Sequence, residues 1–207
     1  MRKILSVLVI TMICVVGADV NAKGAEKRTQ SITELTTAKN LYIDYIKENP
    51  ASDPDMASYA LIYINDDDIP ELLIDYGTGF EGAVLCTVSS GKLEIVKSSH
   101  SDMFYFERKN LFHIMGGHMD NYSDRVYAIQ NGVFVLLHDG KYGAEDNSRV
   151  QVDEEGNPIY QYFWNGKEVS EKDYERSLKS VFNDSKAVNA YKNTYTASEI
   201  IPKIMKL

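Results

Sequence analysis

Cysteine is almost missing from this chain of 207 residues, which has only Cys14 and Cys86. If the N-terminal segment is removed, Cys86 alone remains, so no internal disulfide and no thiolate metal cluster is available. Cys86 lies in the apolar run Ala83-Val84-Leu85-Cys86-Thr87-Val88, where a small buried side chain is the ordinary expectation. Basic residues are also scarce: 22 Lys and Arg stand against 30 Asp and Glu, a formal charge of −8. An acidic chain without a basic cluster argues against nucleic acid and anionic membrane surfaces as partners. Long apolar runs are lacking as well. The longest, Ile4 to Gly17, falls short of the roughly 20 residues a membrane span needs.

That run has another use. Arg2 and Lys3 precede it, Val20-Asn21-Ala22 closes it, and the polar residues Lys23 to Gln30 follow. This is the pattern of a secretory signal peptide over residues 1–22. Cys14 is preceded by the bulky Ile13, where a lipid-carrying cysteine wants a small residue. Cleavage would leave 185 residues with a charge near −9, enough for one domain with a sizeable core. The expected organisation is a signal at 1–22, a polar linker at 23–30 and a single α+β domain at 31–207. The expected location is extracytoplasmic, secreted or at the cell surface.

Within the domain, Ser31 with Glu34 forms a capping box. Ile32, Leu35, Ala38, Leu41, Tyr42, Tyr45 and Ile46 then recur at helical spacing up to Asn49-Pro50. From Ser58 to Trp164, short runs of Val, Ile, Leu, Tyr and Phe alternate with Gly, Asn and Asp. They predict strands near 58–64, 71–76, 82–89, 92–97, 102–107, 111–115, 124–129, 132–138 and 158–164. Ser89-Ser90-Gly91, Asn131-Gly132 and Glu155-Gly156-Asn157 read as hairpin turns. Such closely spaced strands leave no room for crossover helices, so the sheet is expected to be mainly antiparallel. Residues 139–157 read as a long polar excursion. Ser170 with Asp173 opens a helix through about Phe182, and Thr196 with Glu199 caps a last one containing Pro202. The predicted class is α+β, with an N-terminal helix and C-terminal helices against a many-stranded sheet.

The most distinctive segment is Tyr59-Ala60-Leu61-Ile62-Tyr63-Ile64-Asn65-Asp66-Asp67-Asp68-Ile69-Pro70-Glu71-Leu72-Leu73-Ile74. Two aliphatic strands flank an acidic turn whose alternate oxygens suit a hard cation such as Ca²⁺. It resembles the calcium loop of integrin-type FG-GAP repeats. It is still more similar to a segment of small secreted proteins of Clostridia, usually Ala-Leu-Ile-Asp-Ile-Asn-Gly-Asp-Gly-Ile-Pro-Glu-Leu-Leu-Ile. Residues 162–174 also resemble a strand-turn-helix element of those proteins, most of which have no assigned function. The resemblance implies a compartment and a Ca²⁺ site at Asn65, Asp67 and Glu71, with the Ile69 carbonyl between them and Asp66 or Asp68 able to assist. Tyr63 stands at the first ligand position, and Asp68 replaces the turn glycine.

Other patterns carry less. Gly77-Thr78-Gly79-Phe80-Glu81-Gly82 matches G-x-G-x-x-G, but a strand follows rather than the helix that a dinucleotide needs. His113, His118 and Asp120 are a conceivable metal or hydrolytic group. Ser99, His100, Ser101 and Asp102 are too close in sequence to converge as a triad. Tyr160, Tyr162 and Trp164 alternate onto one strand face, either covered by helices or exposed as a platform for a ligand. With no catalytic residue and no cofactor motif identified, the expectation is a non-enzymatic binding module for an extracellular ligand or protein, steadied by Ca²⁺. The alternatives are an extracytoplasmic hydrolase using carboxylates or the His113/His118 region, and a cell-surface inhibitor or accessory subunit.

Overall fold

In the computed structural model, residues 14–207 are described. Much of the segment expected to be a signal, residues 1–13, therefore lies outside the described residues. The chain begins with helix α1 (Cys14–Glu48) and continues through eight strands. These are β1 (Ser58–Ile62), β2 (Glu71–Asp75), β3 (Ala83–Ser89), β4 (Lys92–Ser98), β5 (Ser101–Phe106), β6 (Leu111–His118), β7 (Asn121–Gln130) and β8 (Val133–Gly143). After an irregular excursion come β9 (Gln161–Trp164), β10 (Lys167–Val169), α2 (Glu171–Val181), β11 (Val188–Asn189) and α3 (Ala197–Met205). A short 3₁₀ turn, Asp184–Lys186, precedes β11. The class is α+β, and every strand pairing is antiparallel.

The strands divide between two sheets. The first has the order β1-β2-β3-β4 and the second β10-β9-β8-β7-β6-β5-β11. Period-two alternation explains how they stack. From the first sheet, Leu72, Ile74, Val84 and Cys86 pack with Ala38, Tyr42 and Ile46 of α1 and with Ile200 and Ile204 of α3. The opposite residues Leu73, Ala83 and Leu85 pack against Met103, Phe112, Ile114, Tyr127 and Ile129 of the second sheet. Two cores result, with helices on the first sheet and the first sheet on the second. Helix α2 packs against β9.

Hairpin chemistry fixes the register. Ser90-Gly91, Asn131-Gly132 and Asn165-Gly166 each hold two successive residues at positive φ, as two-residue type I′ turns require. The capping box at Ser31 is overridden, because α1 already runs through residues 23–30. Those residues are mostly Lys, Ala, Glu, Arg and Gln, which join a helix readily. The boxes at the other end work. Ser170 accepts the Asp173 N–H, and Thr196 and Glu199 cap each other. Pro202 sits inside α3.

Candidate functional site

The acidic loop between β1 and β2 is closed by its own donors. The Asn65 side chain donates to Asp67 Oδ2 at 2.7 Å, while Asn65 Oδ1 accepts the Asp67 N–H and Asp67 Oδ1 accepts that of Ile69 at 2.8 Å. Glu71 turns inward between the sheets, only 1 % exposed. Its carboxylate accepts from the Ile64 N–H at 2.9 Å and the Thr87 hydroxyl at 3.3 Å. Burial pushes its pKa up to about 8, against the lowering effect of the Ile64 N–H. Burial also raises Asp67 above the ordinary carboxylate range. A cation already sits at the loop: Arg108 donates to the Asp67 carbonyl at 3.1 Å and lies 4.4 Å above the Tyr63 ring. The β5–β6 turn adds two backbone bonds, from the Arg108 N–H to the Tyr63 carbonyl and from the Asn110 N–H to that of Ile64. Tyr42 of α1 donates to the Pro70 carbonyl at 2.9 Å. The loop thus joins α1 and both sheets. Asn65, Asp67 and Glu71 each have a side-chain oxygen that accepts from a protein donor. Among the described residues, no three His, Cys, Asp or Glu side chains gather in a way that could hold a metal ion.

The histidines separate. His113 and His118 are five residues apart on β6, and a regular strand sends such a pair to opposite faces. His113 is fully buried beneath α2 and the 3₁₀ turn, beside Phe182. Its Nε2 lies 2.9 Å from Asp124 and its Nδ1 3.0 Å from Asp184. Tyr174 of α2 donates to the other oxygen of Asp124 at 2.5 Å. Gly140 leaves room for this, since a Cβ there would come within 2.5 Å of the Tyr174 hydroxyl. Burial lowers the pKa of His113, but the two carboxylates outweigh it and the net shift is upward. His118 instead reaches the turn and meets His100, with ring centroids 4.1 Å apart.

Tyr160, Tyr162 and Trp164 belong to a half-buried aromatic layer. Tyr142 stacks on Tyr162 at 5.4 Å, and the buried Tyr174 meets Tyr142, Tyr162 and Trp164 edge-on. The Tyr160 hydroxyl donates to Asp120 and that of Tyr162 to Glu171. These rings pack mainly on one another and on α2. The Gly77–Gly82 segment is the β2–β3 turn, followed by a strand. Cys86 is buried, and its thiol is pushed up to about 12.

A further accessible feature lies elsewhere. Where the two sheets part, an open cleft of about 980 Å³ forms, walled by β4 on one side and by β6, β7 and β8 on the other. Ser98 and Lys97 come from β4, Ser123 and Arg125 from β7, Lys141 from β8, and Asn121 and Tyr122 from the β6–β7 end. Its size is that of a small-molecule site, about 300–1,000 Å³. No family model, curated protein or solved structure matches this chain. The cleft residues escape sequence reading because each looks like an isolated surface side chain. Only the packing of two sheets brings β4 and β7 to one cleft. Asp124, Tyr174 and Asp184 escape for a similar reason, lying 11, 61 and 71 residues from His113.

Proposed function

We propose that the protein is a non-enzymatic binding module of an exported chain, which holds its ligand in the cleft between the two sheets. The observation that carries this reading is the contrast between the cleft and the reactive groups. Glu71, Cys86 and His113 are each buried, and Glu71 and His113 are bonded into the fold. The cleft is open and rich in hydroxyl, amide and cationic side chains. Hydrogen bonding of that kind orients a ligand, and of the histidines singled out in the sequence only His118 lies in the cleft lining, with its ring against His100. In this reading the Asn65–Glu71 loop is a structural junction, with Arg108 as its resident cation.

Ligand-observed NMR with small sugars, carboxylates and amides tests the reading. Ser123→Trp places an indole in the cleft without touching either core. Wild type should bind a subset of these fragments at millimolar concentration, and the variant should lose that subset while keeping its melting temperature. No binding, or binding that survives the indole, would overturn the proposal.

A further inference from the structure

Both ring nitrogens of His113 face carboxylates, and this limits the protonation states the cluster can hold. Nε2 lies 2.9 Å from Asp124 on β7, and Nδ1 lies 3.0 Å from Asp184 in the 3₁₀ turn. An ionised carboxylate only accepts, and a neutral imidazole has one N–H and one lone pair. A neutral ring would therefore set its lone pair against one of the two acids. The second oxygen of Asp124 already accepts from the Tyr174 hydroxyl of α2. Phe104 and Val126, opposite His113 on β5 and β7, and Phe182 against its ring are uncharged. His138 and Tyr142 of β8 meet Trp164 and Tyr174, and Lys186 of the turn is exposed.

The two acids differ in their access to water. The Asp124 side chain is 7 % exposed and that of Asp184 40 %. The turn that carries Asp184 leads into β11, which pairs with Phe104 and Tyr105 at the edge of the second sheet over two residues. Beyond it, the Ala190 N–H donates to the Met103 carbonyl at 2.9 Å. We infer that His113 is a doubly protonated clamp, and that loss of one proton releases the 3₁₀ turn and β11 from the sheet edge. While both nitrogens are protonated, each acid accepts one N–H and the turn is seated. When one proton leaves to solvent, the remaining N–H stays with Asp124, because a buried carboxylate left short of a donor costs more than a half-exposed one. The Nδ1 lone pair then faces Asp184, which turns to water and takes the turn with it. Because the folded-state shift of His113 is upward from 6.5, the seated state extends above that pH and the released state is the alkaline one. The device is independent of the cleft.

Side-chain ¹⁵N NMR of the full chain from about pH 5 to about pH 10 reads the ring directly, and the Val188 and Ala190 methyl signals report the segment. Both nitrogens of His113 should be protonated at about pH 6, and one should lose its proton at a midpoint above 6.5. The two methyl signals should move with that midpoint while those of Ile129, in the core between the sheets, stay in place. Asp184→Asn keeps a side-chain oxygen and adds an N–H donor, so it suits either form of the ring. In that variant the midpoint should fall, and the methyl signals should hold their seated positions across the range. Asp184→Ala should show the released positions at every pH, with the Ile129 signals unchanged. A singly protonated ring at about pH 6 would overturn the clamp. Methyl signals that ignore the titration of His113, or that titrate in Asp184→Asn as they do in wild type, would overturn the release.

Discussion

Glu71 and His113 are ionisable side chains shut inside the fold, and each makes stability depend on pH. The pKa of Glu71 is raised to about 8 from an ordinary value of 4.5, so the folded state holds its proton more tightly than the unfolded chain does. The stability it contributes is complete below pH 4.5 and falls away as pH rises to about 8. Glu71→Gln keeps an oxygen for the Ile64 N–H and carries no charge. Denaturant melts should show the variant more stable than wild type at pH 8, by about 1 kcal/mol or more, with the advantage shrinking towards pH 5. An advantage unchanged with pH would mean that Glu71 does not titrate there. His113 is also raised, so its contribution is complete below pH 6.5 and is lost as pH climbs through its higher folded value. His113→Ala leaves Asp124, 5 % exposed, with Tyr174 alone. It should cost about 3 kcal/mol near pH 6 and less at pH 9. Measuring both in the Glu71→Gln background keeps the two slopes apart.

Elements show which signals in the chain are local and which are not. Strand positions were legible because alternation and glycine turns act within a few residues, as at Asn131-Gly132. Ser170 and Thr196 announced their helices for the same reason. Ser170→Ala should cost about 1 kcal/mol and loosen Tyr174 with it, read as faster amide exchange along α2. The beginning of α1 was not legible: a capping box marks where a helix is able to start, and the upstream residues were themselves helix formers. Strands β10 and β11 were too short to show a period. The acidic loop was conspicuous, but its partners were not. Arg108 lies 41 residues from Asp67, and nothing in the sequence says that a cation from another hairpin settles there. The junction account predicts no Ca²⁺-selective rise in the thermal midpoint with 10 mM Ca²⁺ against 10 mM Mg²⁺, whereas a site with a Kd near 1 mM would add about 1.4 kcal/mol. Arg108→Ala should destabilise both conditions alike.

For the whole molecule, the arrangement of the sheets matters more than any single motif. Both sheets could be anticipated as antiparallel strands, but their division into four and seven could not, because it depends on which strands fail to pair. That division creates both the second core and the cleft where the sheets diverge. Three surfaces then compete as the place of binding: the cleft, the tyrosine layer beside α2, and the acidic loop. Among the described residues, no helix is long and apolar enough to cross a membrane, and α1 covers one core with its Ala38–Ile46 face.

An amide-resolved NMR map of the full chain, titrated with the fragments that wild type binds, tests the central claim most directly. The account predicts shifts centred on residues 97–99, 116–123 and 141, with residues 65–71 and 160–164 unmoved. Shifts centred on 160–164 or on 65–71, with the cleft amides silent, would contradict it.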